Sequence, residues 1–426
     1  MRSRGKSANA DAWEARMSMK RSSQSIKFAV AVALVLASGV LFPSAAMAAE
    51  SPSPGQGSVP TQPMEPVGVP VAPYRLVAVV IDDPTTKQLD LSPLDNPNIS
   101  GVALQIHWAD IEPTEGNPDW TKLDQLFNTA QAKGKWVHLL IFPGFFTPQW
   151  ALNGVQTDQF PIQYGPGHGK VETLPMPWDK TYLQNWFAFL KLVADRYANN
   201  PALKLIAADG PTSVSAESTL PNQPDSLTKW RADGYTPAKY QQAWQQVFQE
   251  YAADFPHQFI SLSTGLGLSI GANGKIKAKQ QSATRQDIVN EAMTDLSGRI
   301  VLQSCNVHAG PGPNEPNSAK DDQFITQYNG QLITGLQMRT SAENDPAVMG
   351  AAGDPAAALK KSIDLAMTPD SQGRRIAYLE IYAPDVMAPD LQSDLKYGDS
   401  LFIRPYLPAP LPRPTQTQQN GSNPIL

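Results

Sequence analysis

Apolar, β-branched runs of strand length recur along this chain, and most are separated by segments whose apolar residues fall at helical spacing. Eight runs stand out. They are RLVAVVI (75–81), GVALQIHW (101–108), KWVHLLIF (135–142) and LKLIAAD (203–209), then QFISLSTG (258–265), RIVLQSCNVH (299–308), QLITGLQM (331–338) and IAYLEIY (376–382). Between them, Leu123, Leu126, Phe127 and Ala130 form one helical face, with Gly134 placed to end that helix. Leu183, Trp186, Phe187, Leu190 and Val193 form a second. Tyr240, Trp244, Val247, Phe248 and Tyr251 form a third, opening on the N-cap pair Thr236-Pro237. Strand–helix alternation repeated eight times predicts α/β architecture: a single (β/α)8 TIM barrel over residues 74–406.

The ends of the chain read differently. After Lys20, Arg21 and Lys27 comes an apolar run from Phe28 to Phe42, shorter than the roughly 20 residues a membrane span needs. Ala46-Met47-Ala48 then fits the small-x-small rule for cleavage, so residues 1–48 read as a signal peptide with an extended n-region, Met19 being a second candidate start. Residues 49–73 are a Pro/Gly/Ser-rich linker and 407–426 a Pro-rich tail with no core-forming pattern. Export to the medium or periplasm is the expectation, with no membrane attachment once the signal is removed. Net charge is -5, and the mature region shows no basic cluster in sequence, which argues against nucleic acid and anionic membranes as partners. The single cysteine, Cys305, excludes an internal disulfide and reads as a packed core thiol.

Alternation assigns faces. In the second run Val102, Leu104 and Ile106 face the helices, leaving Gly101, Ala103, Gln105 and His107 for the lumen. The same parity sends Asp209, the set Ser304, Asn306 and His308, the pair Gly335 and Gln337, and the set Tyr378, Glu380 and Tyr382 inward. Polar groups thus gather at the C-terminal ends of the strands, where barrel enzymes keep their sites. Five scattered histidines make no metal-binding pair, and neither a G-x-S-x-G elbow nor a phosphate-binding G-x-x-x-x-G-K occurs. TGLGLSIGANGK (264–275) matches no nucleotide motif and reads as the loop after strand five. Carboxylate chemistry without metal or cofactor remains, beside aromatic groups able to stack on sugar rings.

The segment IHWADIEPTEGNPDWTKLDQLFNTAQAKGKWVHLLIFPGFFTPQWAL, with LPMPWDKTYLQNWFAFLKLVADRYANNPALKLIAADGP after it, resembles the large clan of retaining (β/α)8 glycoside hydrolases, the β-galactosidase-type and cellulase-like families above all. The resemblance implies an acid/base glutamate just after strand four and a nucleophilic glutamate at the end of strand seven. Glu217 is the acid after strand four, although Ala216 stands where the clan carries asparagine. The second carboxylate is either Glu380, which the count puts on strand eight, or Glu343, beyond a strand seven that ends in Gln337. His107, Trp108, Trp150, Asp209, Asn306, His308, Gln337 and Tyr382 are the candidate sugar contacts, and Glu112 a structural loop acid. The leading expectation is an exported hydrolase of an oligo- or polysaccharide acting with retention, which needs its two carboxyls about 5–5.5 Å apart. A non-catalytic glycan-binding barrel of the cell envelope is the alternative, and a lyase or transglycosidase on the same scaffold a third.

Overall fold

A computed structural model describes residues 74–402 except 164–166, 266, 272 and 311–314, and the side chains of 315–320 are also outside it. The signal, linker and tail segments lie outside the described residues, apart from the linker's boundary at Tyr74. Ten strands are present among the described residues: β1 (Arg75–Ile81), β2 (Gly101–His107), β3 (Trp136–Phe142), β4 (Thr157–Pro161), β5 (Val171–Pro175), β6 (Leu203–Ala207), β7 (Phe259–Ser263), β8 (Ile300–Val307), β9 (Ile333–Met338) and β10 (Tyr378–Tyr382). Eight of them close into a barrel in the order β1-β10-β9-β8-β7-β6-β3-β2, every pairing within it parallel. These are the eight runs of the sequence, so the barrel's fourth strand is β6 and its eighth is β10. The remaining pair, β4 and β5, forms an antiparallel hairpin outside the barrel. Hydropathy does not announce that hairpin, because only Phe160, Leu174 and Pro175 are buried in it.

The helices follow from their caps and stripes. Asp179 accepts from the Tyr182 amide to open the helix Lys180–Tyr197, and Thr236 accepts from Lys239 to open Pro237–Asp254. Gly134, with φ +62°, follows the end of Thr121–Ala132. The stripes bury Leu183, Trp186 and Leu190 of one helix and Tyr240, Trp244, Val247, Phe248 and Tyr251 of the other. The outer core lies between these helices and the outward strand residues, Val102, Leu104 and Ile106 among them. A second core fills the lumen with Val77, Val79, Ala103, Leu140, Leu205 and Val301. Toward the N-terminal end it is aromatic, where Tyr74, Trp136, Phe259 and Tyr378 meet edge to face or tilted. Gly335 exists to admit one of them: a Cβ there would stand 2.0 Å from the Tyr378 ring. The lower lumen is thereby plugged, leaving the C-terminal mouth as the open end of the barrel interior.

Candidate active site

Above the aromatic plug sits a fully buried polar layer. Glu380 on β10 has no exposed surface, and both its oxygens are engaged. His138 Nδ1 lies 2.7 Å from Oε1, and Gln303 Nε2 donates to Oε2 at 2.7 Å. The other imidazole nitrogen, Nε2, stands 2.7 Å from Ser261 Oγ, and the Tyr378 hydroxyl donates to Gln303 Oε1 at 3.1 Å. Four strands thus satisfy one acid, which answers the cost of enclosing a carboxyl in an apolar barrel. His138 and Gln303 did not figure among the expected site residues. The signal was present in the case of His138: a lone imidazole in WVHLLIF matches a lone carboxylate in YLEIY.

The next level up is the mouth. Gln337, at the end of β9, accepts from Gln105 Nε2 at 3.2 Å and donates to the Tyr382 hydroxyl at 3.0 Å. Tyr382 and Phe146 are half-buried rings resting on the lumen core, and His107 stacks on Phe146 with ring centroids 3.7 Å apart. His107 also holds Asp110 through Nδ1 at 3.0 Å. Phe146 is the aromatic surface that sequence reasoning passed over.

Glu217 enters from the loop after β6. Its backbone bridges to Ser263 at the end of β7, and Ser218 donates to the Ser263 carbonyl at 3.0 Å, so the loop continues the barrel without being a strand. The half-buried carboxyl has its pKa pushed up to about 7, first by burial and then by the charge of Asp321, with Ser215 opposing. Asp321 and Asp322 lie on the helix Glu315–Thr326, and neither was expected here. Asp322 accepts from the Ser304 hydroxyl at 2.7 Å, and burial pushes its carboxyl up to about 6. Asp321 pairs with Arg285. Cys305 on β8 lies 3.3 Å from the Ser263 hydroxyl, and its thiol is raised by burial and then by the charges of Glu217 and Glu380. The same two carboxylates act on Tyr382.

Several expected contacts are placed elsewhere. Trp108 has no exposed surface: it donates to Glu112 Oε2 at 3.0 Å and packs against Trp150, Trp186 and Phe189, which makes it core. Trp150 is half-buried and tied to the Glu112 carbonyl at 2.9 Å, so the two tryptophans and Glu112 form one structural unit. The parity on β8 is inverted: Val301 and Gln303 face the lumen, whereas Ser304 faces Asp322 on the helix side. A register shift between Ser304 and Val307 accounts for the slip further on. Asn306 is half-buried beyond that shift, and His308 is buried against its own loop, Nδ1 lying 2.9 Å from the Gly310 carbonyl oxygen. Glu343 is exposed, its backbone amide held by Asp385 across the mouth.

Asp209 is displaced as well. The strand ends at Ala207, and Asp209 is fully buried against the helix layer, where its amide donates to the Tyr251 hydroxyl and its carbonyl accepts from Trp186. Neither carboxyl oxygen has a hydrogen-bond partner of ordinary geometry among the described residues, and burial raises its pKa well above the usual carboxylate range, with the Thr212 side chain opposing. A raised folded-state pKa means that the stability associated with the neutral form is complete below about pH 4 and is lost as pH rises toward the folded value. Asp209→Asn is therefore expected to stabilise the protein by about 1–3 kcal/mol at pH 8 and hardly at all at pH 4. Urea unfolding at both pH values checks this; a variant no more stable than wild type at pH 8 contradicts it.

The closed parallel barrel is a (β/α)8 fold plugged from below, with acids, amides and aromatic groups gathered at its C-terminal mouth, where that fold keeps its sites. The model of a glycoside hydrolase family described as beta-galactosidase matches residues 83–256, from the end of β1 to the helix before β7. Similar solved structures include a thermostable mutant of a xylanase from Cellvibrio japonicus, at 13% identity over 78% of this chain and 99% of that one, TM-score 0.46. Xylanase B from Clostridium stercorarium F9 is 13% identical over 72% of this chain and 86% of that one, TM-score 0.40. A beta-galactosidase from the Antarctic haloarchaeon Halorubrum lacusprofundi is 11% identical over 77% of this chain and 58% of that one, TM-score 0.45. No curated protein matches the chain.

Proposed function

We propose that this protein is an exported hydrolase of an oligo- or polysaccharide that works with retention through Glu217 and Glu380. The observation behind this reading is geometric: the Glu217 backbone bridges to Ser263, whose hydroxyl lies 3.3 Å from Cys305 Sγ on β8, and Gln303 on the same strand donates to Glu380. Glu217, protonated below about pH 7, gives its proton to the leaving oxygen as the glycosidic C–O bond breaks. Glu380 forms the bond to the anomeric carbon, and water deprotonated by Glu217 later displaces it, restoring both acids. Tyr382, Phe146 and His107 offer the rings and polar edges that a sugar needs, with Gln337 and Gln105 between them.

A second reading, a glycan-binding barrel without turnover, draws on two observations. Glu380 is enclosed with both oxygens engaged, and the barrel's seventh strand ends in the amide Gln337. The deciding experiment assays secreted protein on aryl glycosides and on xylan, galactan and mannan, with calorimetric binding measured alongside. Turnover that both Glu217→Gln and Glu380→Gln abolish upholds the hydrolase. Binding without turnover selects the second reading, and a mature N-terminus other than residue 49 removes the export scheme as stated.

A further inference from the structure

The glycine-rich loop after β7 has no part in the chemistry above, yet it is joined to the Glu217 loop. Gly265 donates its amide to Ser218 Oγ at 2.9 Å, one residue from Glu217. Farther along, this loop and the turn after the helix Pro224–Ala232 enclose a cavity lined by Arg231, Tyr235, Thr236, Pro237, Ile270 and Gly271. Two glycines seat cations beside it. A Cβ on Gly274 would stand 3.4 Å from Arg231 Nη1, and one on Gly271 would stand 3.0 Å from Lys277 Cε. Gly274 has φ +75°, so the turn that receives Arg231 also favours glycine. Tyr235 is fixed beneath, its hydroxyl donating to the Leu268 carbonyl at 2.6 Å.

Charge is unbalanced at this place. Arg231, Lys275 and Lys277 are exposed, and none makes a side-chain hydrogen bond or ion pair among the described residues. Asp233, the acid nearest in sequence to Arg231, is turned toward Asp158 and Lys229. The linear sequence conceals this group, because Arg231 comes from the last turn of the helix Pro224–Ala232 and the two lysines from the loop after β7, in a chain whose net charge is -5.

We propose that this cavity is a subsite for an anionic group on the glycan, a carboxylate or a sulfate ester, with Arg231 and Lys277 as its charge partners. The proposal deepens the glycoside-hydrolase reading by naming the substrate class, and it rests on that reading for the glycan itself. Cations without a side-chain partner, beside an aromatic ring and on or against a loop that is hydrogen-bonded to Ser218 next to Glu217, suit a charged sugar unit remote from the scissile bond.

The test measures binding of the full secreted chain to polygalacturonate, to a sulfated galactan and to neutral xylan and galactan, at 20 and 300 mM salt. The expected result is preference for at least one anionic polymer, weakened by salt and reduced at least about tenfold in Arg231→Ala/Lys277→Ala. Neutral-glycan binding and turnover of a neutral aryl glycoside should be unchanged in that variant. Preference for one polymer identifies the group as carboxylate or sulfate. Equal affinity for neutral and anionic polymers, or an anionic preference that the double variant retains, overturns the subsite. Loss of binding to every polymer at an unchanged thermal midpoint overturns it too; where the double variant's midpoint falls, Arg231→Gln with an unchanged midpoint takes its place, and retention of the anionic preference there overturns the subsite. Failure of the hydrolase reading registers separately, as absence of turnover on any glycoside by wild type.

Discussion

In the proposed hydrolase, replacing Glu217 with glutamine is expected to lower kcat on glycosides with poor leaving groups by about 10²–10⁴-fold, the range ascribed to a positioned proton donor. Activated aryl glycosides, whose leaving oxygen needs little help, suffer much less in the first step. The pH profile carries the sharper test. With its carboxyl pushed up to about 7 by burial and the neighbouring Asp321 charge, Glu217 holds its proton below that value and releases it above. The wild-type rate should therefore fall on the alkaline side of about pH 7, and the glutamine variant should lose that limb. Asp322, pushed up to about 6 in the same neighbourhood, titrates close by, so Asp322→Asn serves as the control. A limb that survives Glu217→Gln and vanishes in Asp322→Asn assigns the proton to the wrong loop.

Removing the Glu380 carboxyl has the largest expected effect on stability. Glu380→Ala leaves His138 Nδ1 and Gln303 Nε2 facing each other across a site with no exposed surface, and breaking such a buried hydrogen-bonded charge site costs about 3–5 kcal/mol. Glu380→Gln keeps the shape but turns an amide donor toward one of two existing donors, costing about 1–3 kcal/mol. Denaturant midpoints at unchanged slope measure both. The pairing of readouts separates the roles. A Gln variant that folds nearly normally and loses all turnover marks Glu380 as the attacking group. One that loses stability while turnover persists marks it as a structural acid beneath the site.

Much of this architecture was legible because a barrel strand must bury both faces, which writes a mostly apolar run of five to eight residues into the chain. All eight barrel strands are visible in that way, and the outward set Val102, Leu104 and Ile106 follows from alternation alone. Alternation also places Gln105, Gln337, Tyr378, Glu380 and Tyr382 on the inner face, where the structure has them. It fails at two points where regular pleating stops. Asp209 lies two residues past the end of β6 and turns to the helices, and β8 is out of phase as well as irregular after Ser304. The tryptophans Trp108 and Trp150 carried no face signal, because each lies in a short helical turn packed by residues far away in sequence.

What the amino-acid order decided by itself, then, is the eight barrel strands, three of the helices between them and the end of the barrel where polar groups gather; these depend on local periodicity and on burial of the strand faces. Which acids cooperate was decided only by closure of the barrel. Glu380 met His138 from 242 residues away and Gln303 from 77, and the Glu217 loop came to rest on the end of β7. Hydrogen bonding and desolvation act through space over a few ångströms, so a lone carboxylate in a strand shows that a partner is required and leaves its identity to the fold.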